Sequence, residues 1–158
     1  MDATRECERL WCMIDSMDYQ ITVDIKAPPE TVWAVMSDAE RWHEWTESVR
    51  SIRLLDKGPL AIGSRAFVRQ PRFPPAVWKV TDITPGKSFT WRTGAPGMWV
   101  YGRHSVDAIP GGSRATLHLH YEGAIGNVMA RLTRDITNRY LGYEAAGLKT
   151  RSESLASG

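Results

Sequence analysis

Apolar and polar residues alternate strictly from Tyr19 to Lys26, with Tyr19, Ile21, Val23 and Ile25 on one side. A period of two predicts a half-buried strand, because successive strand side chains point to opposite faces. Ala27-Pro28-Pro29 ends it. Proline suits a first helical turn and Glu30 suits the positive end of a helix dipole, so a helix starts here. Val32, Trp33, Val35 and Met36 give that helix one apolar side. Ser37-Asp38 breaks it, and Asp38 is placed to cap a second short helix through Glu40, Trp42 and His43.

From Val49 the chain reads as a string of strands with glycine and proline between them: Val49 to Leu55, Gly63 to Gln70, Ala76 to Ile83, Ser88 to Arg92, Met98 to Ile109 and Arg114 to Glu122. Pro71-Arg72-Phe73-Pro74-Pro75 reads as a loop. This spacing predicts an antiparallel meander. After Gly123 the period changes. Ile125, Met129, Leu132, Ile136, Tyr140 and Tyr143 recur at steps of three and four, predicting one long amphipathic helix to about Glu153. Arg131, Arg134, Asp135 and Arg139 fall on its wet side. A single sheet must cover one face, and only this helix is long enough to do so. The expected fold is α+β: a curved seven-stranded antiparallel sheet wrapped around the C-terminal helix, with two short helices after the first strand. The space left between sheet and helix is a natural ligand cavity.

The chain has 158 residues, the size of one domain. Residues 1–16 read as an N-terminal appendage, 17–153 as the ligand-binding domain and 154–158 as a disordered tail. The apolar fraction is 42% and includes seven tryptophans, enough for a real core. Lysine and arginine exceed acids by only two charges, which does not suit a nucleic-acid partner. Cys7 and Cys12 sit together near one end. They cannot form a disulfide framework for so long a domain, and they lack the second pair or the histidine of a zinc site. Met1 to Ser16 carries Asp2, Glu6 and Glu8 where a secretory leader is basic, and no apolar run approaches a membrane span. The expected compartment is the cytoplasm, and the expected state is a monomer or weak homodimer.

Several local patterns together resemble the START-like helix-grip superfamily (SRPBCC), and within it the polyketide cyclase/dehydrase and lipid-transport branch. They are Ala27-Pro28-Pro29-Glu30-Thr31-Val32-Trp33, Ser37-Asp38 followed by Trp42 or Trp45, Trp78-Lys79-Val80-Thr81-Asp82, Phe89-Thr90-Trp91-Arg92, Gly111-Gly112 and Tyr121-Glu122-Gly123. The resemblance covers about Met17 to Glu153. It implies the helix-grip fold and a small hydrophobic, lipid- or polyketide-like partner; no cofactor is expected. Such a scaffold hosts carriers and enzymes alike, so no catalytic residue is carried over.

Two histidine patterns bear on chemistry. His118, His120 and Glu122 share one row of a strand, a plausible metal shell. The opposite row, Ala115, Leu117, Leu119 and Tyr121, is the core face, which turns the histidines to water, and no metal is expected. His104 shares its row with Met98, Val100, Val106 and Ala108, so it points inward. An inward histidine can anchor a ligand oxygen, exchange protons near neutral pH, or sit as a satisfied core residue. Asp82 shares a row with Trp78 and Val80, either paired inside or at the wet end of its strand. Arg65, Arg69 and Arg72 form a basic rim or a solvated face. The candidate ligand-binding residues are Trp45, Phe67, Trp78, Trp91, Val100, His104, Leu117, Met129, Leu132, Ile136 and Tyr140. The expected portal lies between the Trp42–Trp45 segment and the Phe73 loop. The leading expectation is reversible binding of a small hydrophobic or aromatic molecule. The alternatives are an aromatase/cyclase using an inward acid/base, and a protein-interaction module.

Overall fold

The computed structural model describes residues 16–158. Residues 1–15 of the expected appendage, with Cys7, Trp11 and Cys12, lie outside the described residues, and Ser16 belongs to the first strand. The elements are β1 (Ser16–Ile25), α1 (Pro29–Ser37), a 3-10 helix (Ala39–Glu44), β2 (Ser51–Leu54), β3 (Arg65–Gln70), β4 (Phe73–Thr84), β5 (Ser88–Ala95), β6 (Met98–Ile109), β7 (Gly112–Glu122), α2 (Ala124–Leu132) and α3 (Arg134–Ala156).

The seven strands form one antiparallel sheet in the order β1-β7-β6-β5-β4-β3-β2. β2 to β7 run as a meander, and β1 adds to the free edge of β7. The sheet wraps the C-terminal helices, giving the expected α+β helix-grip arrangement. Of the two short helices, the second is a 3-10 helix, and Asp38 precedes it without a side-chain capping bond. Trp42 of this helix is 2% exposed and its indole N–H donates to the Met36 carbonyl at 3.1 Å. It belongs to the core beneath α1, packed on Phe89 and Trp91.

The C-terminal helix differs from its expected form in two ways. It is interrupted at Thr133, whose hydroxyl donates to the Met129 carbonyl at 2.7 Å. Such back-bonding competes with the helical ladder and bends it. The second part continues through Ala156, beyond the expected end near Glu153. Helix α2 is also rotated from its expected face, so that of Ile125, Met129 and Leu132 only Met129 reaches the cavity. Ile125, Val128 and Leu132 are exposed, Leu132 at 74%, while Gly126, Asn127 and Ala130 are buried. The small residues explain this. A Cβ on Gly126 would already touch Met98 and Trp99 at 3.7–3.8 Å, and Tyr19 Oη donates to the Ala130 carbonyl at 2.8 Å. The α2 backbone lies against β6 and β1, leaving no room for branched side chains on that side. On α3, Tyr143 is likewise exposed, and Tyr140, Leu141, Ala145 and Leu148 face the sheet.

Two irregularities shape the sheet. The register of β4 against β5 shifts between Val80 and Asp82. The extra residue, Thr81, inverts the alternation, so Asp82 is exposed rather than in the row of Trp78 and Val80. The expected Pro-rich loop is instead the start of β4. The β4–β5 ladder ends at Lys79 and Arg92, so Pro74 and Pro75 have no β5 neighbour to which an N–H is owed. Beyond that point β4 follows β3 to Phe73 while β5 follows β6 to Ala95, and the sheet splits.

Candidate functional site

A cavity of about 360 Å³ lies between the inner face of the sheet and α2–α3. That volume falls at the lower end of the roughly 300–1,000 Å³ typical of small-molecule sites. Its residues come from both sides of the sheet's split: Phe73, Pro75 and Ala76 on β4, and Thr93, Gly94 and Met98 on β5 and β6. Phe73 meets Tyr140 edge to face at 5.7 Å. Trp42, of the segment expected to form one side of the portal, and Phe73, expected to form the other, both line the cavity. Trp42 is packed in the core, and the helix supplies Phe73 with its partner.

The sheet side is mostly apolar and aromatic: Trp78, Trp91, Val100 and Leu117 line it. Trp78 and Trp91 pack at 5.4 Å. Gly102 has a specific reason to be glycine, since a Cβ there would stand 2.8 Å from the Trp91 indole nitrogen. The helix side is different. Thr133, Thr137, Tyr140 and Glu144 all line the cavity, at steps of four, three and four. That spacing stacks them on one helical stripe. Tyr121 Oη and Thr137 Oγ1 are 3.3 Å apart, and Thr137 Oγ1 reaches Thr133 Oγ1 at 3.5 Å.

His104 is one of the polar groups on the sheet side, beside Gln70, Thr93 and Tyr121. It is 6% exposed and comes from the inward row of β6, as its alternation predicts. Its ring stacks on Phe89 at 4.8 Å with an interplanar angle of 11°, and Trp42 and Trp91 pack around it at 5.0 and 5.9 Å. Its Nε2 lies 3.7 Å from Glu144 Oε2. This is ion-pair reach, longer than a hydrogen bond. Glu144 is 9% exposed. Its other oxygen accepts from Ser48 Oγ at 2.9 Å, and Ser48 is 3.0 Å from Thr46 Oγ1. A buried carboxylate is costly unless hydrogen-bonded, and Ser48 supplies that bond while His104 stands within ion-pair reach. Among the described residues, His104 Nδ1 and Tyr140 Oη are buried without a hydrogen-bond partner.

Trp78, Trp91, Val100, His104, Leu117, Met129 and Tyr140 stand on the cavity wall; Trp45, Phe67, Leu132 and Ile136 do not. Phe67 alternates with the buried Ala66 and Val68, so it occupies the outer face. Trp45 packs on Trp42 at 5.5 Å. Leu132 is turned outward with the exposed ridge of α2. Ser48 and Glu144 were missed. The signal for Glu144 was a polar residue at helical spacing from Tyr140 and Thr137.

His118 and His120 face outward, as their row implies. Both contact Asp18 Oδ1 across the β1–β7 ladder, at 2.7 and 2.9 Å. Partial burial raises the Asp18 carboxyl, but hydrogen bonds from His120 and His118 outweigh it and hold the group below its ordinary value. Arg65 is not part of a basic rim, because Asp56 pairs with it at 3.0 Å.

The sequence matches the family described as polyketide cyclase / dehydrase and lipid transport over residues 17–153, and the chain belongs to that family. No curated protein matches it. Among solved structures, it is similar to the di-domain ARO/CYC StfQ of the steffimycin biosynthetic pathway, with TM-score 0.71 and 11% identity over 99% of this chain and 61% of that one. The di-domain ARO/CYC BexL of the BE-7585A pathway gives TM-score 0.69 and 15% identity over 98% and 54%. TTHA0849 of Thermus thermophilus gives TM-score 0.70 and 16% identity over 89% and 99%. At these identities the likeness is one of fold. The chain spans little more than half the length of the two di-domain proteins.

Proposed function

We propose that the protein binds a small, mainly apolar molecule bearing oxygens in the cavity between the sheet and α3. One observation carries this reading: His104 Nδ1 and Tyr140 Oη are buried on residues that line the cavity, without a partner among the described residues. Unpartnered buried polar atoms cost free energy, and a side-chain rotation that opens either atom to the cavity lets a ligand oxygen relieve that cost. The aromatic sheet wall supplies affinity at roughly 25 cal/mol per Å² of apolar area buried. The helical stripe from Thr133 to Glu144 orients the ligand. Native mass spectrometry of the purified protein, with tryptophan-fluorescence titration by flat aromatic ketones, tests this. Binding with quenching of Trp78 and Trp91 is expected. No binding by ketones that fit the cavity volume overturns the reading.

A second reading, polyketide cyclase activity, is favoured by the His104–Glu144 pair. A buried acid/base pair beside a cavity suits proton transfer on a bound poly-carbonyl chain. The pair takes a proton from a CH₂ between two carbonyls. The enolate carbon bonds to a distant ketone carbon, the resulting alkoxide takes the proton back, and loss of water gives the conjugated ring. Product analysis after incubation with a synthetic poly-β-ketone tests this, against the spontaneous product distribution as baseline.

A further inference from the structure

A second concavity opens where β3 turns into β4. Arg50, Ser51 and Arg69 line it, together with Gln70, Phe73 and Pro75, and these last three also line the main cavity. The two spaces are therefore lined in common by three residues at the β3–β4 edge of the sheet. We propose that this annex binds the anionic group of the ligand whose apolar part fills the main cavity. The ligand is then an amphiphilic anion, a carboxylate or a phosphate monoester. The inference rests on the binding function proposed above and adds the charge of the ligand to it.

The residues support an anion specifically. Arg69 pairs directly opposite Ser51 in the β2–β3 ladder, so their side chains share a face. The Arg50 amide donates to the Arg69 carbonyl at 2.8 Å, which fixes the two backbones next to each other, and both residues line the concavity. Arg65, on the same strand, is neutralised by Asp56. Among the described residues neither Arg50 nor Arg69 has an ion-pair partner, and no carboxylate lines the annex. A guanidinium presents a planar fork that matches carboxylate and phosphate oxygens. The Ser51 hydroxyl and Gln70 amide add uncharged donors. The β4 prolines make this edge stiff, since proline fixes φ and donates no N–H.

Isothermal titration with dodecanoate, dodecyl phosphate, methyl dodecanoate and inorganic phosphate tests the proposal on the full chain. The wild type should bind the two amphiphilic anions roughly five- to tenfold more tightly than the ester at low salt. The tighter of the two anions identifies the headgroup. The Arg50→Gln/Arg69→Gln double variant should lose this preference and keep its affinity for the ester, and about 0.5 M salt should weaken the preference in the wild type. Arg65→Gln should retain it. Equal binding of acid and ester by the wild type, or a preference that survives in the folded double variant, overturns the annex while leaving the cavity reading intact. Binding of inorganic phosphate as tight as dodecyl phosphate overturns the spanning mode. Failure of the ester and both amphiphilic anions to bind overturns the annex, and the ketone titration above then decides the cavity reading separately.

Discussion

Glu144 of α3 reaches across the cavity to His104 of β6, bringing its Oε2 to 3.7 Å from His104 Nε2 while its other oxygen is held by Ser48. Helix and sheet therefore meet through this pair on the cavity wall, with aromatic rings around His104 and hydroxyls beside Glu144. The three contributors come from separate segments of chain, so the pair exists only when the helix is seated.

The pair can be separated into structure and chemistry. Glu144→Gln keeps the bulk and an acceptor for Ser48, so stability should change by less than about 1 kcal/mol. Glu144→Ala leaves Ser48 without its acceptor and opens a void, and should cost about 2–4 kcal/mol. Urea denaturation of the two variants checks the difference. If the protein is a cyclase, both substitutions should lower turnover, Gln included, because the carboxyl beside His104 is gone.

His104→Phe separates the binder from the enzyme. The ring contacts with Phe89 and Trp42 are retained and the polar handle is lost. Affinity for an oxygen-bearing ligand should fall by about 1–3 kcal/mol, with apolar probes unaffected or bound more tightly. In an enzyme the same variant should lose roughly 10²–10⁴-fold in rate with binding largely kept. Fluorescence titration and product analysis read the two outcomes separately.

Two glycines of α3 should respond oppositely to alanine. A Cβ on Gly147 would run into the backbone carbonyl of Trp45, which cannot rotate away, whereas Gly142 has nothing within 4 Å. Gly147→Ala should cost about 2–4 kcal/mol by forcing α3 off the Trp42–Trp45 segment. Gly142→Ala should stabilise by about 0.5–1 kcal/mol through helix propensity. Thermal melts of the two variants, run together, give the contrast.

The outer face contributes an acid-sensitive element. The Asp18 carboxyl is held below its ordinary value of 3.8, with hydrogen bonds from His120 and His118 outweighing partial burial. A carboxyl depressed in the folded state adds stability that is complete above its unfolded pKa and is lost as pH falls through the folded one. Asp18→Asn should therefore lower stability at pH 6–7 by less than about 1 kcal/mol, given its solvent exposure. The difference from wild type should close as pH drops below about 3.8. Denaturation midpoints across pH 2–7 measure this. A gap that widens in acid would contradict the pairing.

The exposed ridge of α2 allows a direct comparison of burial. Leu132 is 74% exposed and Leu148 is 1% exposed. Leu132→Ser should stay within about 0.5 kcal/mol of wild type, and Leu148→Ala should lose about 2–5 kcal/mol. A large loss at Leu132 would show that the ridge is covered.

The alternation along the chain determined the strands, their antiparallel order and the inward aim of His104, because a period of two assigns each side chain to a face. It also turned His118 and His120 outward, opposite Leu117 and Tyr121. What alternation could not reveal was where the period is interrupted. The bulge at Thr81 moved Asp82 to the surface, and the parity that put Phe67 outside could be read only once Ala66 and Val68 were seen to be buried. Helical spacing likewise brought Ile125, Met129 and Leu132 onto adjoining positions of one helix. Which side meets the sheet was decided by how closely Gly126 and Ala130 let the backbone approach β6 and β1. Glu144 is the clearest case. Its charge marks it for solvent, and only the tertiary packing supplies Ser48 and His104, the partners that make burying it tolerable.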